Sequence, residues 1–394
     1  MNLKSIKNTD VKGKRVLMRV DFNVPLEDGK IADETRITKT LPTIKYLIEQ
    51  GAKLIIMTHV GRPEGQVVEE LRTTPLAKRL SELIGKDVKK VDDCVGKEAE
   101  EASAALSPGE VLMLENTRFH KEDEENDHAF AEKLSKTGEI FVMDAFGAAH
   151  RKNASTYEVS KFLPTYAGLL IEAEITALSP LLANPKKPLT LIMGGAKIDT
   201  KIGVLKSFLP VADYILIGGA LANTFQAARG FYVGKSLYEE DKLDLAREIM
   251  LSAEALGDNF ILPEDVIVAS EASDDVKTLD LPVQDIEGDM QVFDIGSKTL
   301  KKFQEVIKKS ATVVWNGPVG LTEKKPFRKG TAGIGDAITD TKGINSIIGG
   351  GDTIDALNTM GFDESQFTHV STGGGAMLEF LEGKELPGIE IIKE

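Results

Sequence analysis

The chain has 394 residues, 42% hydrophobic and 28% charged, a globular composition too long for one ordinary core and suited to two domains. Acidic side chains outnumber basic ones by 62 to 48, for a formal charge of -14, which excludes a general nucleic-acid surface because phosphate backbones are held by broad positive stripes. No apolar run reaches the roughly 18 residues that cross a bilayer, and the opening MNLKSIKNTDVKGKRVL has charges but no apolar core, so neither a membrane span nor a secretory signal is expected.

The first apolar run is RVLMRV (15–20), followed by Asp21, Phe22 and Asn23. Arg36 comes next, in ADETRIT, ahead of a helix pattern at Leu41, Ile44, Leu47 and Ile48. KLIIMTH (53–59) ends on His59, with Gly61 and Arg62 behind it, and a second helix pattern runs through Leu76, Leu80, Leu83 and Ile84. Cys94 is the single cysteine, so no internal disulfide forms, in keeping with a reducing cytosol. Its neighbours Asp92 and Asp93 oppose thiolate formation and favour an inert thiol. VLMLEN (111–116) leads to Thr117 and Arg118, and IFVMDAF (140–146) to His150 and Arg151.

A helical stretch with proline-bearing ends occupies 157–188 and reads as a semi-rigid, hinge-like connection between domains. Beyond it the apolar runs are LTLIMGG (189–195), YILIGG (214–219), DVIVAS (265–270), TVVWNG (312–317) and SIIGG (346–350). Continuous rather than alternating hydrophobicity marks strands buried on both faces. Helices between them imply βαβ units, hence an α/β fold of two doubly wound parallel-sheet domains.

In such sheets ligands gather at the carboxyl ends of the strands. A single arginine there reads as a solvated surface group. Arg36, Arg62, Arg118 and Arg151 with His59, in an acidic chain, read instead as a local site for a small, hydroxylated ligand that is at least doubly anionic. Asp21 and Asn23 add acceptors for hydroxyl groups. The second half carries glycine at its strand ends, in GGAK (194–197), GGALANTF (218–225), WNGPVG (315–320) and GGGDT (349–353). One such turn is ordinary helix–sheet packing, whereas the set favours a nucleotide whose phosphates approach backbone N–H groups. Asp352 suits either a helix cap or a magnesium ion held mainly by phosphates. MGGAKIDTK (193–201) places Lys197 and Lys201 one helical turn apart, predicting a shared helix face.

Several common constellations are missing. GFYVGKSL (230–237) contains Gly-Lys-Ser, but its glycines are one residue too close for a P-loop and no buried strand precedes it. No dinucleotide fingerprint follows the first strand, the histidines lack metal-site spacing, and no nucleophile elbow is present. A nucleotide domain joined to a small-anion domain suggests phosphoryl transfer. A carboxylate acceptor is already ionised near neutral pH, which explains many cations and no evident base.

RVDFNVPL (19–26), THVGRP (58–63), LENTRFH (114–120), DAFGAAHR (144–151), GGAKIDTK, VVWNGPVG, GGGDT and STGGGAMLEFLEGKELPG (371–388) together resemble the phosphoglycerate kinase family, in order and nearly end to end. The resemblance implies a monomeric cytoplasmic enzyme of glycolysis with two lobes facing across a cleft. It transfers a phosphoryl group reversibly between 1,3-bisphosphoglycerate with ADP and 3-phosphoglycerate with ATP, using Mg²⁺, by in-line transfer with hinge closure. It assigns 3-phosphoglycerate to Asp21, Asn23, Arg36, His59, Arg62, Arg118 and Arg151, and the transferring group to Arg36 and Lys197. Lys201 then holds nucleotide phosphates near Gly350, Gly351 and Thr353, Glu323 holds the ribose and Asp352 the metal, while Gly194, Gly218 and Gly296 shape the cleft. The implied domains are 1–168 with about 378–394 for the substrate and 169–377 for the nucleotide. Neither nucleic acid nor membrane is an expected partner. Ala148 and Thr322 depart from the threonine and phenylalanine usual there. A hinged anion-binding protein and a dinucleotide oxidoreductase are the alternatives; the glycine-rich turns weigh against the first and the absent fingerprint against the second.

Overall fold

The computed structural model describes residues 1–27 and 30–394. It divides into two compact units, residues 1–179 with 385–394, and residues 180–384.

In the first unit β1 (Arg15–Val20) is followed by the short antiparallel pair β2 (Leu26–Glu27) and β3 (Lys30–Ile31), then β4 (Lys53–Met57), β5 (Val88–Lys90), β6 (Val111–Met113), β7 (Ile140–Asp144) and β8 (Thr165–Ala167). The longer strands form a six-stranded sheet ordered β5-β6-β4-β1-β7-β8, parallel throughout. The apolar runs become strands because crossover helices cover the sheet, so β4 and β7 bury nearly every residue. The chain leaves β1 to one side first and returns to the other through β7. That makes the β1/β7 boundary the switch point where strand ends diverge and a ligand crevice opens.

The second unit has β9 (Leu189–Met193), β10 (Tyr214–Ile217), β11 (Phe260–Ile261), β12 (Asp265–Ala269), β13 (Leu279–Pro282), β14 (Gln291–Ile295), β15 (Thr312–Asn316), β16 (Asn345–Gly349) and β17 (His369–Val370). Its parallel sheet is ordered β11-β10-β9-β15-β16-β17, with the switch point between β9 and β15. The run at 265–270 is not part of that sheet: β12 is the centre of a separate antiparallel sheet, β13-β12-β14. The four apolar residues Val266–Ala269 demand burial but do not say against which partner.

The helix Leu169–Ala183 carries Pro180 and spans the boundary between the units. Its start is held from within the first core. Asp144, fully buried at the end of β7, accepts from the backbone N–H groups of Leu170 and Ile171 at 3.0 and 3.2 Å, and burial pushes its carboxyl up to about 7. Among the described residues no helix is long and apolar enough to cross a membrane.

Candidate active site

On the first unit, the ends of β1, β4, β6 and β7 bring a basic cluster together. Arg36 lies in the first turn of the helix Thr35–Glu49, and its Nη1 donates to Asp21 Oδ2 at 2.8 Å and to the Asn23 carbonyl at 3.3 Å. Asn23 Oδ1 in turn accepts from Gly61 N–H at 2.9 Å. Buried Arg118 donates to the Gly61 carbonyl at 2.8 Å and lies 3.2 Å from Glu124, while Arg151 donates from Nε to His150 Nε2 at 3.3 Å. Arg62 is exposed. Ala148, the first departure from the family pattern, is buried.

His59 is the centre of this cluster. Its Nδ1 lies 3.1 Å from Arg19 Nη2. A guanidinium only donates, so Nδ1 accepts and the ring proton is on Nε2. Burial drives the His59 pKa well below its ordinary value, and the positive charges of Arg19, Arg118, Arg151 and Arg36 push it further in that direction. The histidine is therefore a neutral donor near neutral pH, not a cation. Burial likewise lowers Arg19 and Arg118; Asp123 and Asp21 oppose the shift at Arg19 and Glu124 and Asp123 at Arg118, while Arg151 repels both and Arg62 adds to the effect on Arg118. Several guanidinium groups that repel one another at converging strand ends have the chemistry to fit an anion.

Arg19 is the residue that motif reading passes over. It is almost wholly buried in β1 and also donates from Nε to Ser155 Oγ at 3.0 Å. The signal was a lone charge inside an apolar run: burying one costs too much unless it is paired, so Arg19 had to have partners.

The second unit holds two cavities of about 250 Å³ each, at the β9/β15 switch point, with Gly195, Ala196 and Asp352 on the walls of both. One is lined by apolar groups including Val266, Val292, Phe293 and Val319, with Glu323 at its wall. Asn223, Gln226 and Asp294 are its buried polar members, and the Asp294 carboxyl is held by N–H groups of Ile295 and Gly330 and pushed up to about 7 by burial. The other is polar, lined by Lys197, Lys201, Asn316, Gly350 and Thr353 among others. An apolar slot beside a polar cradle fits a base joined to phosphates.

The two lysines do not share a helix face. Residues 194–200 form an irregular turn, and the helix Ile202–Phe208 begins after Lys201, which is its N-cap. Gly195 adopts φ +87°, a left-handed conformation that breaks the helical path early. Both lysines nonetheless reach the polar cavity. Lys201 is largely buried; burial lowers its pKa to about 8 against the opposing pull of Asp352. It donates to Asn316 Oδ1. That contact leaves Asn316 Nδ2 as a buried donor without a partner among the described residues. A buried orphan donor beside a buried ammonium, on the wall of an open cradle, is what a phosphate oxygen satisfies. The role of Asn316 is not legible in WNGPVG, where nothing distinguishes a site amide from a turn residue.

The glycines divide by what surrounds them. A Cβ at Gly194 would come 2.2 Å from the Pro318 carbonyl, one at Gly218 2.5 Å from Val319, and one at Gly296 2.3 Å from Asp265. These glycines let structural elements pack behind the cavity walls. At Gly351 a Cβ would meet nothing within 4 Å. Asp352 is exposed in the first turn of the helix Gly351–Thr359, whereas the buried Thr353 hydroxyl accepts from Gly317 N–H at 2.8 Å and braces the loop. Buried Thr322, the second departure, offers its carbonyl to Arg328 Nε at 2.6 Å.

Comparison with known proteins agrees with this architecture. The phosphoglycerate kinase family profile matches residues 6–384. The phosphoglycerate kinase from Coxiella burnetii is 40% identical with a TM-score of 0.89, over 99% of this chain and 98% of that one. The enzyme from Pyrococcus horikoshii OT3 is 34% identical with a TM-score of 0.86, over the same shares, 99% and 98%. With two parallel-sheet units, a basic cluster on one, an apolar and a polar cavity side by side on the other, and a family match along nearly its whole length, this chain belongs to the phosphoglycerate kinase family of phosphotransferases.

Proposed function

We propose that the first unit binds 3-phosphoglycerate through Asp21, Asn23, Arg36, His59, Arg62, Arg118 and Arg151, and that the second binds ATP or ADP. The observation that carries this reading is the field of mutually repelling arginines around a neutral His59, which matches a substrate with both phosphate and carboxylate charges. The acceptor carboxylate is ionised near neutral pH, so no residue has to take a proton. His59, with Nδ1 engaged by Arg19, has the role of donor rather than base.

In the reaction the carboxylate oxygen forms a bond to the γ-phosphorus as the bond to the bridging oxygen breaks in line, and ADP leaves with that oxygen. Arg36 and Lys197 neutralise the charge on the transferring group, and Lys201 with Asn316 Nδ2 holds nucleotide phosphate oxygens. The donor chemistry suits Mg²⁺: Asp352 is an exposed carboxylate at the cradle wall, and this ion takes one or two carboxylates with phosphates. Bound there, Mg²⁺ would offset phosphate charge. Glu323, at the wall of the apolar cavity, is assigned to the ribose. Transfer requires both ligands to meet away from water, so the proposal includes closure of the units about the helix Leu169–Ala183. It also describes a monomer of the cytoplasm, to which the free thiol of Cys94 is suited.

A coupled assay with 3-phosphoglycerate and MgATP tests the reading. Wild type turns over, and Arg36→Ala and Lys197→Ala each lower kcat by about 10²–10³-fold, as for loss of one group that stabilises transition-state charge. Turnover surviving both substitutions would remove those roles. Anion binding without turnover would favour a binding protein.

A further inference from the structure

Away from the assigned residues, the first unit gathers three metal-ligating side chains. β5 and β6 are neighbours at the sheet edge; the loop after β5 carries Asp93 and Cys94, and the turn after β6 ends at His120. A carboxylate oxygen of Asp93, Cys94 Sγ and His120 Nε2 lie within 4.8 Å of one another. We propose that Asp93, Cys94 and His120 form a binding site for a borderline-soft divalent metal of the Zn²⁺ class.

The donor set selects the metal. One sulfur, one nitrogen and one oxygen suit four-coordinate Zn²⁺ with a water in the last position, whereas Mg²⁺ takes oxygen ligands. This site therefore differs in class from the one assigned to Asp352. Asp93 Oδ1 already accepts from His120 Nε2 at 2.7 Å and from Cys94 N–H at 2.6 Å, which fixes the carboxylate against both other ligands. Oδ2 accepts no hydrogen bond among the described residues, and the Asp93 and His120 side chains are 44% and 30% exposed. An ion enters from that side, while Cys94 closes the site from within the core.

The surrounding charge favours a cation. The carboxylates of Asp93, Asp123 and Glu115 act on Cys94. Asp93, Glu122 and Asp123 do the same at His120. Negative charge gathered around the ligands attracts a cation. On binding, the thiol and the imidazole Nε2 give up their protons to solvent as the metal–sulfur and metal–nitrogen bonds form, without redox change. Asp93 and Cys94 are adjacent in the chain but His120 lies 26 residues beyond Cys94, after another strand, so spacing does not disclose the set.

Co²⁺ is the probe, added to the intact, metal-stripped chain without nucleotide. One equivalent should give tetrahedral d–d bands with a thiolate-to-cobalt charge-transfer band, and Zn²⁺ should displace both. Cys94→Ser should abolish the charge-transfer band, and His120→Asn, at a partly exposed position, should weaken binding at least tenfold. Asp352→Ala should leave the spectrum intact. The proposal is overturned if no charge-transfer band appears, if it persists in Cys94→Ser, if His120→Asn binds as wild type, or if Asp352→Ala loses it. Circular dichroism of each variant separates lost ligation from lost fold; should Cys94→Ser not fold, the His120→Asn result decides.

Discussion

At the scale of single residues, the site is governed by charges held in unfavourable surroundings. Lys201 has its pKa lowered to about 8 because burial penalises the ammonium more than Asp352 supports it. A nucleotide phosphate reverses the balance, so binding draws a proton onto Lys201 above pH 8. The sign follows: nucleotide affinity falls as pH rises through about 8, because the free protein loses the cation that the bound state requires. Lys201→Met should lower nucleotide affinity by about 10–100-fold, the loss expected for a charge-assisted hydrogen bond, and flatten that pH dependence. It should not lower Tm, since a buried charge is exchanged for an apolar chain of similar length. Isothermal titration against pH and a thermal melt check both; an unchanged affinity in Lys201→Met would remove the lysine from the phosphate site. Lys201 itself was legible in MGGAKIDTK as a phosphate-binding candidate. Its Asn316 partner was not, because that pairing joins the end of β15 to a turn after β9.

At the scale of elements, the second unit depends on two loops meeting at the switch point. Gly194 and Gly317 approach so closely that a Cβ on either would strike the other loop's backbone, and Gly317 also has φ +94°. Gly194→Ala should cost about 1–3 kcal/mol or more, since backbone cannot yield as a flexible side chain does. Gly351→Ala has open space and no positive φ, so it should leave stability within about 0.5 kcal/mol. Chemical denaturation of both variants makes the comparison; equal losses would mean that the loops are not the constraint. Composition shows that glycines cluster at strand ends, but not which ones pack and which face a ligand, because that distinction lies in the neighbouring loop. The same applies to β12: four consecutive apolar residues suit a strand, and its antiparallel partners are decided by what the chain brings alongside.

At the scale of the molecule, the chain returns to its first unit at the end. Leu386, Ile389 and Ile392 are buried, the Lys4 N–H donates to the Ile392 carbonyl at 2.8 Å, and the Gly388 N–H donates to the Ala149 carbonyl at 2.9 Å. Deleting residues 385–394 removes three large side chains from one core, each worth about 2–5 kcal/mol on truncation, enough to exceed the margin of a typical domain. Hydrogen exchange should then show lost protection in β1 and β7, with β9 and β15 retaining theirs. Retained protection in β1 would show the segment to be dispensable to that core. Apolar pattern alone leaves the tail's destination open, because such a segment carries no address; in the sequence only the family resemblance assigns it to the first domain.

Read by itself, the sequence determines the alternation of buried strands and helices, the basic strand ends of one half and the glycine-rich strand ends of the other. These are local properties: each rests on a few neighbouring residues and on the period with which they recur. Tertiary structure alone decides that Arg19 fixes the tautomer of His59, that Asn316 is left with an orphan donor, and that Cys94 meets His120. Those pairings join different strand ends, where burial, charge and distance are set by the fold rather than by adjacency in the chain.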